Sequence, residues 1–324
     1  MTTEFCRTFN IDHPVVLAPM APVVTPELVA AVSNAGGLGL APLWVDDPDT
    51  LKSQIRQIRA LTDRPFGVNL NMDFRDDAQF EACLEEGVEI ISLFWGDTGD
   101  FVPRARAAGA KVIIIVGTAA GAREAAALGA DAICAQGWEA GGHVAGTVST
   151  MALVPAVADA VGDIPVIAAG GIADGRGLAA ALALGASAAW IGTRFLAAKE
   201  ASVHPDYLAR LLAATEEDTD HYDNLYDLGW PNAPHRTLRN STSKMWEAAG
   251  KPPLGQRPGE GDVLAQRPNG SEIYRYESAS PSAGLTGEIE ALPMWSGQGV
   301  ALVKKAQPAA EIVQEIVEQA KAIL

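Results

Sequence analysis

The sequence predicts an α/β protein folded as a (β/α)8 TIM barrel, and three observations carry this prediction. Eight short apolar runs recur over the first 200 residues, and segments with helical spacing separate them. The repeat has a pitch of roughly 20 to 30 residues, which fits a βα unit. The runs do not alternate polar and apolar residues, as expected for parallel strands covered on both faces. Eight such units favour a closed barrel, and an open doubly wound sheet is the alternative.

The individual elements carry local signals as well. Thr25, Asp47 and Asp174 stand where a helix N-cap is expected, directly before segments with apolar residues at helical spacing. Several of these segments end in a glycine that suits a left-handed helix cap, in "NAGG", "EEG", "AAGA" and twice in "ALGA". The predicted strands are Val15–Met20, Leu38–Leu43, Pro65–Asn71, Glu89–Trp95, Lys111–Gly117, Ala132–Gly137, Pro165–Gly171 and Ala188–Phe195.

The amino-acid composition of the chain changes after the last of these strands. Residues 1–200 are assigned to the barrel. Residues 201–292 are polar, acidic and rich in Pro and Gly, with no strong strand signal, and we expect a mostly helical insertion or extension there, acting as a lid or a brace. Residues 293–324 read as a return segment and a closing helix, with apolar residues at helical spacing, that packs on the barrel.

Charge and composition narrow the function. The formal net charge of −16 repels nucleic acid and anionic lipid, so we expect a small-molecule substrate and neither a nucleic-acid nor a membrane partner. The N-terminus lacks the pattern of a secretory signal, and no apolar run is long enough for a membrane span, so a cytoplasmic enzyme is expected. A monomer and a homodimer both remain open.

Metal and disulfide chemistry have little support in the sequence. The three cysteines are unevenly spaced and form no CxxC pair, and the histidines show no metal-ligand spacing. Cys134 is expected to be a small buried residue rather than a nucleophile. The chain also lacks a Gly-x-Ser-x-Gly elbow, a Walker loop and a dinucleotide fingerprint after the first strand.

The ends of the last two predicted strands indicate an anion site. "AAGGI" places Gly170 and Gly171 after strand seven, just before a helix, and "WIGTRF" places Gly192 and Thr193 after strand eight. Barrels commonly hold a phosphate at these two strand ends, because bare N–H groups and a helix N-terminus favour an anion. The pair therefore predicts a cofactor that carries a phosphate.

His143 lies in the glycine-rich stretch "CAQGWEAGGHVAG" after strand six. Gly141 and Gly142 leave the backbone bare, as needed where a flat ring lies against the chain, and the loop is on the face where barrels build active sites. An imidazole with a pKa near neutrality can take a proton from carbon or polarise a nitro or carbonyl oxygen. A histidine held only by surface hydrogen bonds is the alternative, and Glu139 is expected to have a structural role.

These segments together resemble the nitronate monooxygenase family, FMN-dependent TIM-barrel flavoproteins that are similar to the FMN-containing enoyl-ACP reductases. The resemblance rests on motifs spread over almost the whole chain. They are "PVVLAPMAPV", "AAVSNAGGLGLAP", "PFGVNLN", "ALGADAICAQGWEAGGHVAG", "VIAAGGIADGRGLAAALALGASAAWIGTRFLAAKEA", "RTLRNS" and "MWSGQGV".

The resemblance implies a bound FMN and a role for each matching position. His143 falls on the family's catalytic histidine, Asn69 would reach the ring or ribityl region, and Gln136 would lie beside the isoalloxazine. Gly170, Gly171, Gly192 and Thr193 would hold the phosphate. The full expected cofactor-binding set is Ala18, Pro19, Met20, Asn69, Gln136, Gly141, Gly142, Gly170, Gly171, Trp190, Ile191, Gly192 and Thr193.

The implied activity is oxidation of alkyl nitronates or nitroalkanes with O2 to carbonyl compounds and nitrite. Three alternatives stay open: reduction of an enoyl thioester or quinone by NAD(P)H through FMN, a flavin-free barrel acting on a sugar phosphate, and oxidation of a bulky nitro compound. The chain departs from the family in "FWGD", where Trp95 is placed to narrow the site, and it matches only loosely over 216–288. Substrate choice is the least determined property.

Overall fold

The computed structural model describes all residues 1–324. Strands alternate with helices over most of the chain, and short antiparallel strands follow in its C-terminal third. The fourteen strands are β1 (Val15–Leu17), β2 (Gly39–Pro42), β3 (Phe66–Asn71), β4 (Ile90–Phe94), β5 (Lys111–Val116), β6 (Ala132–Gln136), β7 (Gly142–His143), β8 (Val166–Ala169), β9 (Ala188–Ile191), β10 (Thr219–Tyr222), β11 (His235–Leu238), β12 (Val263–Gln266), β13 (Glu272–Tyr274) and β14 (Thr286–Gly287).

Eight of these strands form a parallel barrel, which confirms the predicted fold. Their order around the sheet is β1-β9-β8-β6-β5-β4-β3-β2. Leu38 closes the ring: its N–H donates to the Val15 carbonyl, and its own carbonyl accepts from Leu17, both at 2.9 Å. All eight predicted strands are therefore present, with each apolar run buried on the two faces of the sheet.

The helices lie outside the barrel and begin where the sequence predicts. Thr25, Asp47 and Asp174 are N-caps whose side chains accept backbone N–H groups, which confirms the three predicted starts. The eleven α-helices are α1 (Glu4–Phe9), α2 (Pro26–Asn34), α3 (Pro48–Leu61), α4 (Asp77–Glu85), α5 (Phe101–Ala107), α6 (Ala119–Leu128), α7 (Thr150–Val161), α8 (Gly175–Ala183), α9 (Pro205–Ala213), α10 (Ser241–Ala248) and α11 (Ala309–Lys321).

The barrel has one apolar core inside it and another around it. Side chains such as Ile113 and Ile167 fill the interior, and Phe5 and Phe9 of α1 pack against them and close one end. A larger cluster lies between the strands and the surrounding helices. With one end plugged by α1, a ligand site can open only at the other end, where the carboxyl ends of the strands meet.

The last βα unit of the barrel is interrupted. Helix α11 packs against α8 and α2 and so completes the helical ring after β9. Its contact with α8 is close, because the Gly175 N–H donates to the Gln319 side chain at 3.0 Å. The chain between β9 and α11 is thus an insertion between the eighth strand and its helix.

The expectation that 201–292 is mostly helical is wrong. This region contains α9 and α10 together with two short antiparallel arrays, β10-β11 and β13-β12-β14. Its strands are two to four residues long and partly polar, so they carry no apolar run that the sequence pattern would reveal. Strand β11 also pairs with β7, a segment distant in sequence, and local propensity does not report such pairing.

Two further features of the chain follow from burial. None of the helices combines the length and the apolar composition that a membrane span requires. Cys134 is a free, fully buried side chain of the barrel interior, and burial raises the pKa of its thiol. It packs as a small apolar residue, as the sequence predicts.

Gly39 offers a test of the packing between β2 and α2. A Cβ at this position would collide with the Val29 carbonyl and lie 2.8 Å from Val29 Cγ1. We expect Gly39→Ala to lower the free energy of unfolding by about 1–3 kcal/mol, measured by urea denaturation. The matched change Gly121→Ala in α6 meets only ordinary contacts and should leave stability equal or up to about 1 kcal/mol higher. Equal stabilities for the two variants would contradict this packing.

Candidate active site

A cavity of about 1300 Å³ opens at the carboxyl ends of the barrel strands. This volume exceeds the range of roughly 300–1000 Å³ typical of a pocket for one small ligand. Of the predicted site residues, thirteen line it: Ala18, Pro19, Met20, Asn69, Gln136, Gly141, Gly142, His143, Gly170, Gly171, Trp190, Gly192 and Thr193.

Ile191 is the one predicted site residue that does not reach the cavity. Its side chain is fully buried in the layer between the strands and the helices, whereas the adjacent Trp190 points into the barrel interior. Consecutive side chains of a strand point to opposite faces, so the two residues cannot both face the cavity. The Ile191 side chain therefore cannot contact a ligand in the cavity, and only its backbone could contribute to a cofactor site.

Backbone groups form a cradle at one side of the cavity, after β8 and β9. The N–H groups of Gly171 and Gly192 have no acceptor within the protein. A Cβ on Gly192 would lie 3.3 Å from Ala18 Cβ, and Gly171 adopts a φ of +72°. Helix α8 begins four residues after Gly171, and its first N–H groups already donate to Asp174 and Gln319, so they are not available to a ligand. The cradle therefore consists of Gly171 and Gly192, whose bare N–H groups have the chemistry of a phosphate site.

Thr193 and Gly170 stabilise the surroundings of this cradle. The Thr193 hydroxyl accepts the Gly297 N–H at 3.0 Å and so holds the segment that returns from the insertion. The Gly170 carbonyl accepts from the Thr150 hydroxyl at 3.1 Å. Glu139 accepts the Thr150 N–H at 2.8 Å and the Thr150 hydroxyl at 2.9 Å. The predicted structural role of Glu139 is thus confirmed as loop hydrogen bonding.

Amide side chains occupy the floor of the cavity. Gln136 donates to the His143 carbonyl at 3.0 Å, but its own oxygen is buried and has no partner in the protein. The amide nitrogen of Asn71 is also buried without a partner, while Asn69 donates to the Ser92 hydroxyl at 3.1 Å. A buried polar group left without a hydrogen bond costs about 1–3 kcal/mol. A ring whose edge carries both N–H and C=O groups would satisfy the two free groups, so the floor fits a flavin.

Gly141 and Gly142 serve different purposes. A Cβ on Gly141 would lie 2.6 Å from the Ser296 carbonyl carbon, so this glycine is required for contact with the 296–297 backbone. Gly142 has no atom within 4 Å of the Cβ position and a φ of +72°. The sequence led us to expect that both glycines leave the backbone open to a flat ring. Only Gly142 has open space beside it, and Gly141 is packed against the 296–297 backbone.

The loop that carries His143 is fixed to the insertion by a β-sheet. Strand β7 pairs antiparallel with β11, with His143 opposite His235 and Gly142 opposite Arg236. The Arg236 guanidinium donates to the Trp138 carbonyl at 3.1 Å and lies 4.3 Å from the centroid of the Trp138 ring. The insertion is therefore part of the active-site wall.

The His143 imidazole is enclosed by aromatic rings. Its centroid is 3.9 Å from that of Trp230, with an interplanar angle of 32°, and 5.1 Å from that of Trp295. Its only side-chain polar neighbour is the Ser278 hydroxyl, 3.4 Å from Nε2. Burial, and to a lesser degree the neighbouring His235, hold the pKa of His143 well below its usual value of 6.5. The ring is neutral at physiological pH, and a neutral imidazole can accept a proton.

His235 lies behind His143 and has a fixed tautomer. Its Nδ1 lies 2.9 Å from the Ala233 carbonyl, to which it donates, and its Nε2 accepts the Tyr226 N–H at 3.2 Å. Burial lowers the pKa of His235 to about 4. Neither imidazole has a charged hydrogen-bond partner.

Charged side chains line only the mouth of the cavity. They are Glu260, Arg267 and Glu277, all from the insertion, and Arg267 is 3.6 Å from Glu277. The inner cavity is formed by apolar, aromatic, amide and glycine residues. An uncharged interior strengthens any electrostatic interaction made there.

The sequence profile of the nitronate monooxygenase family matches residues 3–81 and 71–319. The chain belongs to the nitronate monooxygenase family. A nitronate monooxygenase of Pseudomonas aeruginosa is 33% identical over 98% of this chain and 99% of its own length. A solved structure of FabK from Thermotoga maritima superposes with a TM-score of 0.83 and 33% identity, covering 100% of this chain and 97% of that one.

A second relative differs in its named activity. It is the (3aS,4S,5R,7aS)-5-hydroxy-7a-methyl-1-oxo-octahydro-1H-indene-4-carboxyl-CoA dehydrogenase of Mycobacterium tuberculosis, 40% identical over 254 residues, which are 78% of this chain and 70% of that protein. Monooxygenases and dehydrogenases are both oxidoreductases. This member of the nitronate monooxygenase family is accordingly an oxidoreductase.

The sequence did not predict the aromatic residues that surround His143. Trp230 comes from a polar stretch of the insertion, and only its tryptophan identity in "LGWPN" could have drawn attention. Trp95, expected to narrow the site, does not line the cavity; it has a φ of +64° and supports Trp230, with ring centroids 5.4 Å apart. Phe94, the preceding residue, faces the cavity instead.

The buried His235 predicts a pH-dependent stability. Between about pH 6.5 and pH 4 the unfolded chain binds a proton at this residue and the folded chain does not, so stability rises with pH across this window. One such proton changes the free energy of unfolding by about 1.4 kcal/mol per pH unit. Urea denaturation at several pH values should show a smaller slope for His235→Gln than for the native chain. Identical slopes would mean that His235 is already charged in the folded protein.

Proposed function

We propose that this protein is an FMN-dependent oxidoreductase that oxidises alkyl nitronates and nitroalkanes with O2 to carbonyl compounds and nitrite. The observation that carries the proposal is a neutral, enclosed imidazole, His143, in the same cavity as a glycine cradle for a phosphate. Family membership and the full-length similarity to the Pseudomonas aeruginosa nitronate monooxygenase support it.

The cavity supplies a place for each part of FMN. Its phosphate would bind the Gly171 and Gly192 N–H groups beside Gly170 and Thr193. Its flat ring would lie between the segment Ala18–Met20 and the floor of the cavity. There the ring could form hydrogen bonds with the Gln136 oxygen and the Asn71 amide nitrogen, which have no partner in the protein. The flavin would supply the redox chemistry, taking electrons from the substrate and passing them to O2.

His143 would act on neutral nitroalkanes by proton transfer. The bond between the carbon next to the nitro group and its hydrogen breaks, the imidazole takes the proton, and the electron pair moves onto the nitro group to form the nitronate. The low pKa of His143 keeps the imidazole in the form that can accept this proton, although it also limits the strength of the base. A nitronate supplied as the anion has already lost this proton and needs no base.

A second candidate function keeps the cofactor but changes the reaction partners. In it, NAD(P)H is the electron source, and an enoyl thioester or a quinone is the acceptor. The relative named as a carboxyl-CoA dehydrogenase, at 40% identity, favours a thioester. The size of the cavity also favours it, since about 1300 Å³ leaves room beyond one cofactor.

Anaerobic mixing separates the two functions. The purified protein loaded with FMN is mixed either with ethylnitronate or with NADH or NADPH, and the flavin absorbance is followed. Loss of the oxidised flavin spectrum with the nitronate alone supports the proposed oxidation. Rapid loss with NADH or NADPH and none with the nitronate would replace it with the second candidate.

The role of His143 is tested by comparing substrates. We expect His143→Ala to keep FMN and to lower kcat/KM for neutral nitroethane by about 100-fold or more, the scale of general base catalysis, with a clearly smaller loss for ethylnitronate. His204, which caps α9 outside the cavity, provides the control His204→Ala, expected to retain activity on both substrates. Equal losses on the two substrates in His143→Ala would show that the residue positions the substrate and is not a base.

The cradle is tested by cofactor retention. A leucine at Gly171 would meet only Glu139 Cβ within 4 Å of its own Cβ and would otherwise extend into the cavity. We expect Gly171→Leu to purify without FMN. Gly109→Leu imposes a similar positive φ, +85°, at the end of α5 and should retain the cofactor. Full FMN occupancy in Gly171→Leu would contradict the assignment of Gly171 to the phosphate-binding cradle.

A further inference from the structure

Four aromatic side chains form a continuous apolar surface on one side of the cavity. We call this surface the aromatic wall; it consists of Trp44, Phe74, Phe94 and Trp230, all of which line the cavity. Trp44 and Phe74 are stacked, with centroids 5.3 Å apart and an interplanar angle of 17°. Trp230 meets Phe74 edge to face at 5.3 Å and Phe94 at 6.3 Å.

The aromatic wall stands across the barrel from the glycine cradle. Trp44, Phe74 and Phe94 follow or end β2, β3 and β4, whereas the cradle follows β8 and β9. In the closed ring of eight strands, β3 and β4 lie opposite β8 and β9. A cofactor anchored in the cradle would leave the wall facing free space, on the side where Trp230 covers His143.

The part of the wall formed by Trp44 and Phe74 keeps apolar surface uncovered, whereas Trp230 is buried. Phe74 is 38% exposed, and Val45, which also lines the cavity, is 53% exposed. Trp44 is partly exposed as well. Covering such surface is favourable at about 25 cal/mol per Å², and aromatic faces prefer flat aromatic partners by about 0.5–1.5 kcal/mol per pair.

Charge excludes one class of occupant. No Lys or Arg side chain lines the cavity except Arg267 at the mouth. The Asp73 carboxylate accepts the Trp230 indole N–H at 3.0 Å, which places a negative charge behind the wall. An anionic group against the wall would therefore be desolvated next to a carboxylate and without a counterion, which is unfavourable.

We propose that the aromatic wall is a substrate subsite that takes a flat, uncharged ring system of one or two fused rings, carried by the compound whose nitro group meets His143. This inference rests on the proposed function and names its substrate class. Small nitroalkanes reach His143 but leave the wall uncovered, so the site favours bulky substrates over them.

Binding of compounds that cannot react tests the subsite directly. Nitrobenzene and 1-nitronaphthalene carry no hydrogen on the carbon that bears the nitro group, so His143 has no proton to remove. Their affinities for the FMN-loaded protein are measured by calorimetry beside 1-methyl-1-nitrocyclohexane, which also has no hydrogen on the nitro-bearing carbon but has a ring that is not flat, and benzoate, which is flat but anionic. We expect nitrobenzene to bind about 3- to 10-fold more tightly than 1-methyl-1-nitrocyclohexane, 1-nitronaphthalene more tightly still, and benzoate most weakly.

Variants of the wall connect this preference to named residues. Phe74→Ala and Phe74→Leu should each weaken the binding of nitrobenzene by about 3- to 10-fold relative to that of 1-methyl-1-nitrocyclohexane. The leucine change would show that flatness matters beyond apolar character. Leu128→Ala, which removes a 47% exposed apolar side chain on α6, should leave both affinities unchanged. FMN retention and thermal unfolding of each variant establish that it is folded.

Each result decides the proposal. Equal affinity for flat and non-flat rings, or an unchanged preference in the Phe74 variants, overturns it. A nicotinamide ring is another flat group that could stack there; if the Phe74 variants weaken NADH binding and leave nitrobenzene unaffected, the wall serves the nicotinamide and the substrate assignment fails. If the ring preference holds but ethylnitronate does not reduce the flavin, the subsite stands and the proposed oxidation fails.

Discussion

The pairing of β7 with β11 is the contact on which the active-site side of the molecule depends. Two residues of the loop after β6, Gly142 and His143, join a sheet whose other strands belong to the insertion. Arg236, fully buried on β11, adds hydrogen bonds to the Trp138 carbonyl in the same loop. A loop after a barrel strand is ordinarily mobile. Here its position is set by a segment distant in sequence, so the insertion and the histidine form one unit.

This arrangement explains why the imidazole has aromatic rather than charged neighbours in a strongly acidic protein. The chain has 40 acidic and 24 basic residues, yet the charged side chains that line the cavity stand only at its mouth. The insertion places Trp230 and Trp295 against the imidazole and buries His235 behind it. Burial is consequently the main cause of the low pKa of His143. The same burial makes a proton on either histidine costly, which links the chemistry of the site to the stability of the fold.

The barrel could be read from the sequence because its signals are local, whereas the insertion could not. An apolar run such as "KVIIIV" and an N-cap such as Thr25 carry their information within a few residues. The glycines after β8 and β9 were found because their ordinal position in the barrel gave them meaning. By contrast, β10 and β11 are largely polar, and β11 pairs with the distant β7. Nothing near Trp230 in sequence indicates that it stacks on His143. At the end of β9 the alternation of side chains separates Trp190, which faces the cavity, from Ile191, which does not.

The two sides of the cavity differ in how they are built. The cradle side depends on backbone atoms and on glycines whose substitution would close space, so few changes there are compatible with the same ligand. The aromatic wall depends on side chains of loops and of the insertion, which can change without disturbing the barrel. Divergence among relatives should therefore concentrate on the wall, while the cradle and the histidine persist. Relatives of this chain are named both as monooxygenases and as a CoA dehydrogenase. A constant cradle beside a variable wall would allow such a range, since the wall would select the compound presented to the site.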